Sequence, residues 1–291
     1  MKLLPAVVAA LAVLALAGCQ GPRAAEPAAS PAADDDYGVW TTSDEVSPWS
    51  GDDDPFGPAI FDYQLGGGYE SDAQIVVRDR TEPPGDGPLS ICYINGFQTQ
   101  PGEAELWLTE HPTAILRNGS GDPVVDENWP DEMILDTSTP EKREEILTTM
   151  LPWVQGCAND GFAAVEFDNL DSYLRSGGAL SADDNQAFAT MLAAVATGFG
   201  LHAGQKNSVE LVNQASTIGF DFAVSEECHR WNECAAYTEA YGPRVLNIEY
   251  TDDLRGSIDE ICDDPTIPPH TIIRDRDLTT PEHPDYFFKA C

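Results

Sequence analysis

Short β-type runs alternate with helical segments from residue 59 to the C-terminus, and this alternation most limits what the chain can fold into. Candidate strands cover residues 59–65, 74–78, 89–95, 162–168, 202–206, 220–225, 244–249 and 271–274. Several are rich in Val, Ile, Tyr and Phe and are bounded by turn residues. A helix is predicted after Ser181, an N-cap with Asp183 and Asp184 in the first turn. Phe188, Met191, Leu192, Val195 and Phe199 then recur at helical spacing as one apolar face. Another helix is expected after Ser138, with Pro140 early and Glu141 placed for a capping box. Its buried face would be Ile146, Leu147, Met150, Leu151 and Val154. Shorter helices are expected at 209–217, 233–241 and 253–262. Strand–helix alternation over this length implies a parallel sheet covered by helices. Eight strands point to an α/β, closed (β/α)8 barrel forming a single domain over residues 59–291. The first strand leads into no Gly-rich phosphate loop, which removes the main support for a dinucleotide fold.

The front of the chain reads differently. Lys2 precedes an apolar run over residues 3–17 that is too short to span a membrane. Leu16-Ala17-Gly18-Cys19 follows, which resembles a bacterial lipobox. Residues 1–19 are therefore expected to be a lipoprotein signal peptide, with lipid on Cys19. Residues 20–58, rich in Ala, Pro and Asp, would form a tether. The expected location is extracellular, anchored to the bacterial membrane through lipid alone. Six further cysteines, Cys92, Cys157, Cys228, Cys234, Cys262 and Cys291, fit disulfides in an exported chain. Sequence leaves their connectivity open. The pairing expected is Cys228 with Cys234 closing a loop, Cys262 with Cys291 pinning the C-terminus, and Cys92 with Cys157. Metal ligation is not expected, since no CxxC occurs and the five His are scattered. The runs Asp34–36 and Asp52–54 lack the ligand order of a calcium loop. A net charge of -35 argues against nucleic acid as a partner. That charge fits a solvated acidic surface and also allows attraction of a cationic polymer.

Catalytic groups of such a barrel lie at the C-terminal ends of its strands. The fourth strand ends in Glu166-Phe167-Asp168-Asn169-Leu170-Asp171. Alternation puts Ala164, Glu166 and Asp168 on one face, so two carboxylates would stack near the rim. Close like charges raise one pKa, which suits acid catalysis. The sixth strand ends in Glu226-Glu227-Cys228, and composition does not separate the two glutamates. Lys206-Asn207 closes the strand between them, where a Lys can keep one carboxylate ionised. Glu249-Tyr250 closes the seventh strand. Tyr63, Asp79, Tyr93 and Asn95 hold equivalent rim positions on the first three. Trp129, in the long segment after strand three, offers a platform for stacking on a sugar. Paired carboxylates with polar and aromatic surroundings are the equipment of glycosidic bond cleavage. No cofactor is required.

Together these pieces resemble glycoside hydrolase family 114, the endo-α-1,4-polygalactosaminidase group, over roughly residues 63–291. The matching residues are Tyr63-Gln64-Leu65, Ile91-Cys92-Tyr93-Ile94-Asn95, and Gly161-Phe162 running into Val165-Glu166-Phe167-Asp168-Asn169-Leu170-Asp171-Ser172-Tyr173. They continue through Leu180-Ser181, Lys206-Asn207, the run Phe220 to Cys228, and Glu249-Tyr250. The resemblance implies a barrel that hydrolyses α-1,4-linked galactosamine or N-acetylgalactosamine polymers; the chain is expected to be a monomer. The resemblance carries the catalytic pair onto Asp168 and Glu226; by position, Asp168 is expected to be the nucleophile or base and Glu226 the proton donor. It also places Asn169, Asp171 and Tyr173 among the substrate-binding residues, with Tyr63, Asp79, Tyr93, Asn95, Trp129, Glu166, Lys206, Asn207, Glu249 and Tyr250. The chain departs from the family at Gly96-Phe97-Gln98-Thr99-Gln100, around Ile134, and at Ser225, where the family commonly has Asn. These departures put the walls of the sugar subsites in question. A non-catalytic carbohydrate-binding surface lipoprotein on the same barrel is the competing reading.

Overall fold

The computed structural model describes residues 54–291. The signal peptide, the lipobox Cys19 and nearly all of the expected tether lie outside the described residues. Within them one sheet runs in sequence order. It comprises β1 (Phe61–Tyr63), β2 (Ile75–Asp79), β3 (Leu89–Asn95), β4 (Ala164–Asp168), β5 (His202–Lys206), β6 (Phe222–Glu226), β7 (Val245–Tyr250) and β8 (His270–Arg274). Each pairs in parallel with the next. A ninth strand, β9 (Phe288–Ala290), was not foreseen; it adds antiparallel to β8. Register decides which side chains share the interior. Tyr93 stands opposite Glu166, Asn95 opposite Asp168, and Lys206 opposite Val224. The inner face packs Phe61, Ile75, Val77, Leu89, Ile91, Ala164, Phe222, Val224, Leu246, Ile248 and Ile272 into one buried cluster. Gly204 makes room there: any Cβ at this position would collide with the Phe222 ring.

The barrel closes without a ladder between β8 and β1 among the described residues. Side chains span the seam instead. Arg274, fully buried, donates to the Tyr63 carbonyl at 2.5 Å and to Asp62 Oδ1 at 3.3 Å. At the opposite end, the His270 ring lies 3.1 Å from the Ala59 carbonyl and 3.2 Å from that of Phe56. Phe56 is buried and stacks near Phe222 and His270. Asp54 forms an ion pair with Arg244 at 2.8 Å. The packed chain therefore starts by Asp54, earlier than the boundary at 58 expected from composition. Phe56 is an apolar plug that the surrounding Pro, Gly and Asp disguised.

The helices are α1 (Ala104–Glu110), α2 (Pro140–Asp160), α3 (Ala182–Gly198), α4 (Ala215–Ile218), α5 (Cys228–Trp231), α6 (Cys234–Tyr241) and α7 (Ile258–Cys262). The connections from β1 to β2 and from β2 to β3 carry none. Gly66-Gly67-Gly68 and Pro83-Pro84 in those stretches oppose helix formation. The α2 helix is capped by Thr139, one residue later than expected, and Pro140 opens its first turn. Ser138 is committed instead to Asp136. Residues 209–214, expected as α-helix, form a 3-10 helix leading into α4. Capping boxes begin α3 at Ser181 and α7 at Ser257. The buried face of α3 is Asn185, Phe188, Ala189, Leu192, Ala193 and Ala196; Met191, Val195 and Phe199 lie at its margin. The alanines let this helix sit close on the sheet. Disulfides join Cys92 to Cys157, Cys228 to Cys234 and Cys262 to Cys291, the pairing expected. No helix among the described residues is long and apolar enough to cross a membrane.

Candidate active site

The C-terminal ends of the strands open into a cleft of about 870 Å³. Three strand-end residues face one another on its floor. Lys206 Nζ lies 3.3 Å from Asp168 Oδ2 and 3.2 Å from Glu226 Oε2, so one ammonium bridges two carboxylates. Asp168 also accepts from the Tyr93 hydroxyl at 2.9 Å and from the Asn169 N–H at 2.7 Å. Glu226 accepts from Asn207 Nδ2 at 3.0 Å and from the Tyr250 hydroxyl. Asn207 Oδ1 in turn accepts the Glu226 N–H at 2.7 Å. Each anion is thus held by a phenol, an amide and the shared lysine.

The backbone turns sharply just past these residues. Asn169 (φ 63°), Asn207 (φ 50°) and Glu227 (φ 61°) all adopt the left-handed region immediately after β4, β5 and β6. Asn tolerates that region because its short amide bonds locally; Glu does so at a cost. The Glu227 side chain leaves the carboxylate pair and meets Arg276 at 2.9 Å. This separates the two adjacent glutamates, which composition alone did not.

Electrostatics follow from burial. The Lys206 side chain is 3% exposed. Burial by itself would lower its pKa, but Asp168, Glu226 and Glu166 outweigh it and hold the ammonium well above its usual range. Burial would likewise raise the Glu226 carboxyl. Lys206, with the hydrogen bonds from Tyr250 and Asn207, reverses this and holds it below the usual range. Burial, reinforced by nearby carboxylates, pushes the Tyr63, Tyr93 and Tyr250 phenols far up, so all three remain hydrogen-bond donors.

Nine of the expected substrate-binding residues line the cleft: Tyr63, Asp79, Tyr93, Trp129, Asn169, Asp171, Lys206, Asn207 and Tyr250. Four do not. Glu166 is fully buried beneath the floor, accepts from Tyr63 at 2.6 Å, and is pushed up to about 8 by burial. Glu249 points to the outer face of β7, where it accepts the N–H groups of His229 and Arg230 at the start of α5. Asn95 supports the wall by holding Glu132 and Asn169. Tyr173 bonds Glu210, away from the cleft. Sequence reasoning missed Asp126, Glu132, Arg175 and Arg276, all of which line it. The scarcity of basic residues, 15 against 50 acidic ones, was the available signal for the two arginines. Of the departures from the family pattern, Gln100 reaches the cleft and bonds Asp79, whereas Ser225 faces outward to Asn247. Ile134 is fully buried. Among the described residues no cluster of His, Cys, Asp and Glu is arranged to hold a metal.

A barrel that presents two carboxylates at the ends of β4 and β6, in an open cleft with exposed aromatic surface, is built as a glycosidase. Residues 41–291 match the model of glycoside-hydrolase family GH114, and the chain belongs to that family. It is a glycoside hydrolase. Its fold is similar to that of Ega3 from Aspergillus fumigatus, solved in complex with galactosamine: TM-score 0.63, 20% identity, covering 80% of this chain and 95% of that one. It is also similar to the glycoside hydrolase domain of PelA from Pseudomonas aeruginosa: TM-score 0.51, 13% identity, covering 76% and 96% respectively. A search of curated protein sequences finds no match.

Proposed function

We propose that the protein cuts an α-1,4-linked galactosamine or partly N-acetylated galactosamine polysaccharide within the chain, using Asp168 and Glu226. The observation that carries this reading is the pair of carboxylates bridged by Lys206 on the floor of an open cleft. Galactosamine bound to a protein of similar fold supports the choice of sugar. One ammonium at 3.3 Å and 3.2 Å from the two anions keeps the facing oxygens close. That favours the separation of about 5–5.5 Å found in retaining glycosidases over the about 6.5–9.5 Å of inverting ones.

In the first step Asp168 bonds to the anomeric carbon while the glycosidic C–O bond breaks and Glu226 gives its proton to the leaving oxygen. In the second step Glu226 takes a proton from water, the water oxygen attacks the same carbon, and Asp168 departs. Lys206, Tyr250 and Asn207 favour the ionised form of Glu226, so to act as donor Glu226 takes a proton from solvent as the sugar binds, while the Lys206 ammonium stays paired with Asp168. We place the enzyme outside the cell as a lipid-anchored monomer. The apolar run, Cys19 and three disulfides support export.

The test is reducing-end release from a partly deacetylated α-1,4-galactosamine polymer by the soluble domain, beside Asp168→Asn and Glu226→Gln. Cleavage by the wild type alone establishes the pair. Binding by folded wild type without cleavage of this or any other α-linked glycan would return the competing reading of a carbohydrate-binding lipoprotein.

A further inference from the structure

Arg276, just past the end of β8, lines the cleft and has no task in the reaction described above. Its guanidinium grips Glu227 with two parallel bonds, Nη2 to Oε1 at 2.9 Å and Nη1 to Oε2 at 3.2 Å. Nη2 and Nε also donate to Asp252, at 2.9 Å and 3.2 Å. The same group lies over the Tyr250 ring, with its central carbon 4.2 Å from the ring centroid. Among the described residues its hydrogen bonds go to Glu227 and Asp252, and none goes to Glu226. Yet every group it touches borders Glu226. Glu227 is the next residue and holds the left-handed turn, φ 61°. Tyr250 gives its hydroxyl hydrogen to Glu226 Oε1. Asp252 lies two residues beyond Tyr250.

A surface ion pair contributes little unless it is bidentate or part of a network. Arg276 is both, and its planar fork also suits stacking on an aromatic face. The loop that carries it is fixed in turn, because Asp275 accepts the N–H groups of Thr279 at 2.8 Å and of Phe287 at 3.2 Å. The other groups facing Glu226 are Lys206 and Asn207 from the end of β5, and Asp168, which shares Lys206 with it. The phenol is the contact to Glu226 that comes from β7, and Arg276 covers the ring that carries it.

We propose that Arg276 is a positioning residue for the donor carboxylate, fixing the Glu227 turn and the Tyr250 ring so that the phenol stays on Glu226. This rests on the role given to Glu226 above and names the group that holds it in place.

The test is the pKa of Glu226 in the sugar-free protein, followed by carbon-13 NMR of labelled Glu carboxyls and assigned with Glu226→Gln. The proteins compared are wild type, Arg276→Lys, Arg276→Met, Tyr250→Phe and the double variant Arg276→Lys with Tyr250→Phe. Lys keeps the charge but has neither the fork nor the plane. In the wild type the Tyr250 hydrogen bond helps to hold this carboxyl low. Tyr250→Phe and Arg276→Lys are each expected to raise it by about one unit, and the double variant no further than Tyr250→Phe alone. Arg276→Met shifts it at least as far as Arg276→Lys. On a polymer that the wild type cleaves, Arg276→Lys lowers kcat about tenfold with less than a twofold change in KM, and the alkaline limb of kcat/KM moves with the NMR value. Thermal unfolding confirms the fold, and should Arg276→Lys not fold, Arg276→Met takes its place in the double variant. A Glu226 pKa that Arg276→Lys leaves at the wild-type value, or shifts that add in the double variant, overturns the proposal. So does a rise in KM with Glu226 unshifted, which would make Arg276 a direct contact to the sugar. The expected NMR pattern in a protein that cleaves no glycan upholds the positioning role and sinks the proposed reaction instead.

Discussion

Replacing Lys206 by Met removes the one charge shared by the two carboxylates without emptying the space its stem fills. A full charge at 3.2 Å from Glu226 is worth about 5 kcal/mol at an effective dielectric of about 20. The Glu226 side chain is 27% exposed in an open cleft, so water screens roughly half of that. About 2–3 kcal/mol remains, which corresponds to about 2 pK units. Loss of the ammonium removes what holds the Glu226 carboxyl below its usual range, so that carboxyl rises. Glu226 must be protonated to act as donor, so the limb on which kcat/KM falls at high pH is expected to move upward by about one to two pH units. The assay is reducing-end release across pH on one defined polymer, with circular dichroism to confirm folding. A folded Lys206→Met variant whose alkaline limb stays where the wild type has it would refute the electrostatic argument.

Three further outcomes follow from burial. Arg274→Met removes the cation that spans the β8–β1 seam and leaves Asp62 buried without it; a loss of about 3–5 kcal/mol in urea unfolding is expected, and a loss below about 1 kcal/mol would mean the seam closes by other contacts. Gly204→Ala drives a methyl into the Phe222 ring and should lower stability by about 1–3 kcal/mol, with an unchanged melting temperature counting against the packing described. Glu166 is raised to about 8 in the folded protein, above its unfolded value of about 4.3. From about pH 5 to pH 8 the unfolded chain has therefore released a proton that the folded one retains, and this group subtracts stability as pH rises. Glu166→Gln should gain on the wild type over that window by an amount on the order of 2–4 kcal/mol; a melting difference that stays constant from pH 5 to pH 8 contradicts the assignment.

Most of the parallel strands were legible because they are apolar runs bounded by turn residues, whereas β5, His-Ala-Gly-Gln-Lys, was legible only from its place in the strand–helix alternation. Asp168 and Glu226 were legible as polar residues that end such runs, and Lys206 as a scarce Lys at the end of the strand between them. Period two also placed Glu166 on the inner face, but not its depth. One layer separates it from Asp168, and that layer divides the open floor of the cleft from the sealed interior beneath it. Glu249 misled because it too ends an apolar strand. Its odd register turns it outward, where it caps α5.

The sequence by itself determined the elements, their order and the residues available at the strand ends, since periodicity and turn chemistry are local properties of a chain. Tertiary structure alone decided which of those residues meet. The bridging of two anions by Lys206, the seam held by Arg274, and the hydrogen bond from Asn95 to Glu132 each join groups from segments far apart in sequence. Their energies depend on distances and burial that arise only when the barrel closes.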